Sequence, residues 1–313
     1  MLLNEKSGTL ATSATHDEPQ RIKAGFESRG VRADVRSVDP ASLREAARAA
    51  QKDGYAAVVA GGGDGTLNTV AGALLGSEMP FAVLPLGTHN HFSKEMKVPL
   101  DLDGAVAALA EAISNDQVKD LDVGTVNDRL FLNFSGIGLH PQLVRQREIE
   151  HKAIKRHQVL RRVLRKFTKV LALFFALLQS LRRLPVMRVL LTSGGSGETI
   201  RRLTPSVVVC NNPYQMKVFG LENVSYTDRS ILNVYVARAT GPIGLVRLLL
   251  ASAVRRLDNL REFETICQPS VRIAVHRRRS LPVSIDGEVV ELKTPLEYGV
   301  SRGALRVVVP QEE

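Results

Sequence analysis

The sequence predicts an α/β domain built on a parallel sheet, followed by a mainly antiparallel β-sandwich. Three observations carry this. Up to about Asp122, short apolar runs alternate with helix-like stretches, the pattern of a layered parallel sheet. Two of those runs end in glycine-bearing turns that lead straight into helices. Beyond Leu121-Asp-Val-Gly124, strand-like runs follow one another with few helices between them, and several alternate with period two.

In the first part, helices are predicted over residues 41–51, 67–75 and 102–114, with a strand at Val35-Arg-Ser37. The apolar run Tyr55-Ala-Ala-Val-Val-Ala60 enters Gly61-Gly-Gly-Asp-Gly-Thr66, and Phe81-Ala-Val-Leu84 enters Pro85-Leu-Gly-Thr-His-Asn-His-Phe92. The second part offers strands at 130–134, 187–191, 206–210, 232–236, 271–275 and 281–285. Ser193-Gly-Gly-Ser-Gly197 reads as an exposed hairpin loop, and Asp286-Gly287 between alternating apolar residues as a tight hairpin turn. Domain boundaries are expected at 1–122 and 123–294, with 295–313 returning to complete the first domain.

The two glycine turns point to an anion site. Glycines carry no Cβ and tolerate positive φ, so backbone N–H groups can close around a phosphate. Thr66 is expected at or near the N-cap of the following helix, at the positive end of its dipole. Asp64 is unfavourable for a bare phosphate, so its presence implies a bridging Mg²⁺ or a hydrogen bond to sugar or backbone. Taken alone, either turn is also compatible with a plain strand-to-helix connection.

Lys and Arg number 42 against 32 Asp and Glu, a formal charge of +10 that favours anionic partners. Hydrophobic residues at 44% exclude a disordered chain. Cys210 and Cys267 are the two cysteines, too few for a disulfide framework, which suggests a reducing compartment. Met1-Leu-Leu-Asn-Glu-Lys6 lacks a signal-peptide pattern, and the longest apolar run, 170–178, falls short of the roughly 20 residues that span a bilayer. Residues 145–184 form the longest predicted helical segment. Leu160, Leu164, Phe167, Leu171, Phe174, Leu178 and Leu181 fall in one stripe, with Arg and Lys filling the remainder. That segment reads either as helix laid on the sandwich with a solvated basic face, or as a membrane-surface helix suited to anionic lipid. Basic residues without interleaved aromatics argue against nucleic acid as the partner.

Gly62-Gly-Asp-Gly-Thr66, Leu84-Pro-Leu-Gly-Thr-His-Asn-His-Phe92, Leu121-Asp-Val-Gly124 and Ser284-Ile-Asp-Gly-Glu288, with a weaker Leu3-Asn-Glu-Lys-Ser-Gly8, together resemble the diacylglycerol kinase catalytic-domain superfamily, which includes sphingosine kinases, ceramide kinases and bacterial lipid kinases. The resemblance implies an NAD kinase/diacylglycerol kinase-like first domain and an ATP- and Mg²⁺-dependent lipid kinase. It implies nucleotide contacts at Gly61, Gly62, Gly63, Asp64, Gly65, Thr66, Asn68, Gly87, Thr88 and Asn90, and aligns Ser37 with a nucleotide-contacting hydroxyl. Asp64 and Asp122 become the metal candidates, and Asp286, with Glu288 as substitute, the general base. His91 stands where the family often has an aspartate, which weakens a hard-cation site, and Arg229 stands at the second acidic position of the family's cation turn, so no structural cation is expected there. The expected setting is the cytoplasm, at the inner face of the membrane, with transient docking through the basic segment and a possible homodimer. An NAD kinase-like enzyme and a weakly catalytic lipid- or nucleotide-binding protein remain as alternatives.

Overall fold

The computed structural model describes residues 1–5, 17–87, 90–142, 144, 186–211, 231–238 and 263–311. The predicted helical segment 145–184, Thr88, Arg229 and the Ser7-Gly8 end of the opening motif lie outside the described residues. The chain divides into two units: 1–124 with 130–133 and 301–313, and 125–129 with 134–300.

The first unit begins with β1 (Leu2–Asn4), α1 (Glu18–Glu27), β2 (Arg36–Val38), α2 (Leu43–Ala50), β3 (Val58–Gly62), α3 (Asp64–Leu74), β4 (Phe81–Pro85), α4 (His91–Glu95), α5 (Leu102–Ser114) and β5 (Val118–Val126). Its strands pair in parallel in the order β2-β1-β3-β4. All five residues of β3 and all five of β4 are buried, which is why both read as unbroken apolar or small-residue runs. Right-handed crossovers then dictate the layers. The step from β1 to β2 runs one way along the sheet and the steps from β2 to β3 to β4 run the other, placing α1 on the opposite face from α2 and α3. The contacts agree, with α1 against α5 and α2 against α3. Gly25 permits the first of these approaches, since a Cβ there would stand 2.8 Å from Val106 Cγ1. The reversal of direction falls between β1 and β3, the switch point at which open α/β sheets bind ligands.

Local chemistry sets the helix ends. The Asp101 carboxylate caps α5 by accepting from the Gly104 N–H at 2.7 Å. The helix predicted from residue 41 starts at Leu43, because the Asp39 side chain holds the Ala41 N–H in a turn at 3.0 Å. The helix predicted from residue 67 begins three residues earlier. Extended Gly63 is its N-cap, and its carbonyl accepts from the N–H groups of both Thr66 and Leu67. Thr66 is therefore the third residue of α3 and not its cap.

The second unit follows β6 (Arg129–Phe131) with β7 (Phe134–Gly138), β8 (Met187–Ser193), β9 (Thr199–Thr204), β10 (Ser206–Cys210), β11 (Leu232–Ala237), β12 (Phe263–Gln268), β13 (Val271–Val275), β14 (Ser280–Ile285), β15 (Glu288–Lys293) and β16 (Leu296–Val308). The single strand predicted over 130–134 is in fact split between β6 and β7 at Leu132-Asn133. Among the described residues one antiparallel sheet has the order β12-β11-β10-β7-β14-β15, and a second runs β9-β8-β13 to the first residues of β16. The final residues of β16 belong to the first unit, where Val307 pairs in parallel with Phe81 of β4.

Buried polar contacts join the two sheets of this unit. The hydroxyls of Ser135 and Tyr298 meet at 3.0 Å, and burial pushes the Tyr298 hydroxyl well above its ordinary pKa. The Thr204 hydroxyl lies 2.6 Å from the Ala237 carbonyl. The chain changes sheet at Pro205, whose carbonyl accepts from the Leu139 N–H and passes so close to Gly138 (φ +85°) that a Cβ there would overlap it. Across the sheets the Arg202 guanidinium grips Glu264 through two bonds of 2.7 and 2.8 Å, and Arg238 adds a contact of 3.2 Å.

These bonds, Arg202 first, hold the Glu264 carboxyl below its ordinary range against the opposing effect of desolvation. An unfolded glutamate titrates near pH 4.3, so the pair's stabilisation is complete above about pH 5 and is lost as the pH falls through the depressed native value. Urea midpoints measured from pH 6 to pH 3 should fall less steeply for Glu264→Gln than for the parent. Equal slopes would mean that the pair contributes nothing to acid sensitivity.

Candidate active site

The switch point of the first unit is where the two predicted turns meet. Gly63 and Gly87 touch backbone to backbone: a Cβ on Gly87 would overlap Gly63 Cα and stand 2.8 Å from Asn90 Oδ1. Asn90, in the left-handed conformation (φ 50°) and 8% exposed, accepts from the Gly87 N–H at 2.9 Å and donates to the Gly87 carbonyl at 2.8 Å and the Pro85 carbonyl at 3.3 Å. One side chain thus replaces the backbone bonds that the sharp turn forgoes. The Asp64 carboxylate reaches the Phe92 N–H of α4 at 3.5 Å, a long bond that links the first turn to the second. Below them Phe81 and Phe92 stack with ring centroids 6.3 Å apart.

On the other side of β3 the Asn4 amide donates to the Thr66 hydroxyl at 2.7 Å. Asn4 ends β1 and is the site residue that motif reading left unassigned. Its signal was the weaker opening match Leu3-Asn-Glu-Lys-Ser-Gly8, which gave it no role. Gly61 and Gly62 are small because neighbours fill the space: a Cβ on Gly61 would stand 2.9 Å from Leu86 Cδ1, and one on Gly62 2.5 Å from the Thr66 hydroxyl. Ser37 is exposed on β2 and pairs with Leu3, which in turn pairs with Gly61, so it lies two strands from the glycines at the same level.

The Thr66 and Leu67 N–H groups bond to the Gly63 carbonyl, and the start of α3 ahead of them carries the positive end of the helix dipole. Asn68, one turn further on, buries Oδ1 without a hydrogen-bond partner. An orphaned buried acceptor costs about 1–3 kcal/mol, which a donor on a bound molecule or a water offsets. A cradle of glycine backbone, a helix N-terminus and this acceptor fit a phosphate-bearing nucleotide.

Asp122 lies on β5, where its Oδ1 accepts from the Gly303 N–H at 2.8 Å. Among the described residues no three or more His, Cys, Asp or Glu side chains gather around a metal position. Mg²⁺ needs no such cage, since it keeps waters and commonly takes one or two carboxylates together with substrate phosphates. His91 is the first residue of α4, and its side chain lies outside the described atoms.

In the second unit Asp286 (φ 45°) and Gly287 (φ 91°) form the tight turn between β14 and β15 with the two positive φ angles of a type I′ hairpin. The Asp286 carboxylate accepts from the Phe134 N–H at 2.9 Å while the Asp286 N–H donates to the Phe134 carbonyl at 3.0 Å, so the side chain is clamped to the start of β7. Glu288, next in the turn, is exposed. Burial, and secondarily the Asp286 charge, pushes the Cys210 thiol far above its usual range, leaving it inert.

The first unit is an α/β domain with two glycine turns meeting at its switch point, and the second is a β-sandwich. Residues 1–126 match the family model of the diacylglycerol kinase catalytic domain. A protein named probable lipid kinase YegS-like from Pseudomonas aeruginosa is 45% identical over 84 residues, 26% of this chain and 26% of its own length. A Synechocystis protein is 24% identical over 276 residues, covering 86% of this chain and 58% of its own length. The chain therefore spans less than two thirds of either relative. A crystal structure of a diacylglycerol kinase from Bacillus anthracis shares the fold with a TM-score of 0.65 at 19% identity, covering 98% of this chain and 95% of the other. An NAD kinase from Archaeoglobus fulgidus, solved in complex with ATP, shares it with a TM-score of 0.54 at 11% identity, covering 99% and 93%.

Gly87→Ala should destabilise the protein by about 1–3 kcal/mol, because backbone on both sides must move to admit the methyl group. Gly195→Ala, where the nearest atom to the new Cβ is 3.9 Å away, should stay within about 0.5 kcal/mol of the parent. Denaturant unfolding checks both, and a tolerated Gly87→Ala would mean that the turns are not rigidly joined.

Proposed function

We propose that this protein transfers the γ-phosphate of ATP to the hydroxyl of a lipid of the diacylglycerol type or a related class. The observation that carries the reading is the fusion of the two glycine turns at the sheet's switch point. The family match over residues 1–126 supports a kinase, and the names of the relatives support a lipid acceptor.

Phosphoryl transfer is mostly positioning and charge stabilisation. The backbone of the first glycine turn and the N-terminus of α3 hold the phosphates, Asn90 keeps Gly87 folded in the second turn, and Thr88 is a further proposed contact. Asn68 Oδ1 takes a donor from the nucleotide, and the Ser37 hydroxyl is a further contact. Asp64 and Asp122 would hold Mg²⁺, which neutralises charge on the phosphate oxygens when bound. Asp286 is assigned the proton of the lipid hydroxyl, with Glu288 as substitute. The Phe134 N–H fixes one carboxylate oxygen of Asp286, which keeps the other in a defined direction. A substrate in a bilayer calls for docking at the cytoplasmic membrane face, for which the basic segment 145–184 is the proposed element. Among the described residues no helix is long and apolar enough to cross a membrane.

With γ-labelled ATP, Mg²⁺ and a total bacterial lipid extract, the parent should yield a labelled lipid. Asp64→Ala and Asp286→Ala should each lose about a hundredfold or more in rate. ATP binding without labelled lipid would overturn the reading, and label appearing in NAD instead would assign the NAD kinase reaction.

A further inference from the structure

A second feature of the β-sandwich unit is not used by the chemistry above. A groove of about 400 Å³ is lined by Arg188, Arg277 and Arg278 with His276, over a floor that includes Met187 and Leu203. The strand register builds it. Leu203 of β9 pairs with Arg188 of β8, whose carbonyl accepts from the His276 N–H just beyond β13, so the three stand in one row across three strands. The turn from β13 to β14 then adds Arg277, Arg278 and Arg279 in succession, all exposed.

Two features set this cluster apart from the structural arginines of the same unit. Arg202 is paired with Glu264 and Arg272 with Glu297, whereas among the described residues Arg188, Arg277 and Arg278 pair with no carboxylate. Among the described residues no ion pair offsets their like charge. Arg277 also occupies the left-handed region (φ 57°) in a turn closed by the Arg278 N–H on the Val275 carbonyl at 3.2 Å, a position that ordinarily favours glycine or asparagine. Charge and backbone both count against this sequence as a mere connector, as they do where a segment is kept for binding.

We infer that the groove is a docking site for the surface of an anionic phospholipid bilayer, with the arginines on lipid phosphates and Leu203, 53% exposed, at the apolar boundary. A free phosphate would use the cationic rim and leave the apolar floor idle. Single-stranded nucleic acid would call for a platform of stacking aromatics, and among the described residues the groove has no Phe, Tyr or Trp. The site goes beyond the kinase reading and is separate in sequence from residues 145–184. Its test uses no ATP, so either inference can fail alone.

The test is co-sedimentation of the full chain with phosphatidylglycerol vesicles, with phosphatidylcholine vesicles as the neutral arm. Each arginine near an anionic surface is worth about fivefold in affinity, so Arg188→Gln/Arg277→Gly/Arg278→Gln should lose roughly a hundredfold. The glycine relieves the turn, so the variant's thermal midpoint should not fall on account of position 277. Arg44→Gln/Arg48→Gln/Lys52→Gln, the same change in charge around α2, should lose less than about fivefold. An equal loss in both triple variants would reduce the effect to net charge and overturn the site. So would a groove variant that binds vesicles like the parent, including one that at the same time loses thermal stabilisation by inorganic phosphate, which would mark a free-phosphate site instead.

Discussion

Backbone contact between Gly63 and Gly87 is the constraint on which the site of the first unit depends. Strands in a parallel sheet run about 4.8 Å apart, and the turns leaving two neighbours normally diverge as side chains fill the space between them. Without Cβ atoms, the turns after β3 and β4 close on each other, and the N-termini of α3 and α4 are drawn to one place. Asn90 then stands in for lost backbone pairing, Asp64 ties the first helix to the second, and Asn4 fixes Thr66 from the far side of β3. The cost is borne by the core beneath, where β3 and β4 are wholly buried and Phe81 and Phe92 stack. Each buried aromatic or branched aliphatic side chain there contributes about 1.5–3 kcal/mol.

A comparable economy governs the sandwich. Its two sheets are joined at particular polar points, Ser135 to Tyr298, Thr204 to Ala237 and Arg202 to Glu264, as well as by apolar packing. The first two of these bonds are buried and the third is part-buried, and each specifies which strands face one another. Asp286 belongs to the same scheme. Its turn is dictated locally by Asp-Gly, but the direction of its carboxylate is dictated by a β7 residue 152 positions earlier in the chain.

That contrast explains what could be read from the sequence. The strand–glycine–helix units, α5 and the hairpin at Asp286 were legible, because each is set by residues within a few positions of one another. So was the change from parallel to antiparallel structure near Gly124, since burial on two faces or one leaves different periodicities. Long-range bonds were not legible. The pairing of Asn4 with Thr66, 62 positions apart, has no local signal. Two helix starts differ for local reasons: Gly63 and not Thr66 caps α3, and the Asp39 turn delays α2. Strand β9, Thr-Ile-Arg-Arg-Leu-Thr, gave no strand signal, because Arg202, which turns to the facing sheet, is accounted for only by Glu264 on β12. The arginine groove was equally hidden, since Arg188 and Arg277 come together only through the register of three strands.

Strand β16 enters the parallel sheet beside β4 after every residue of the sandwich unit has been made. During synthesis β4, apolar and buried on both faces in the finished protein, therefore waits as an unpaired edge while some two hundred further residues emerge. A ribosome that stalls late would release a chain whose sheet lacks its closing strand, with the row of N–H and C=O groups on β4 open to any extended peptide. The parallel sheet thus gains its last strand only after translation has passed the sandwich.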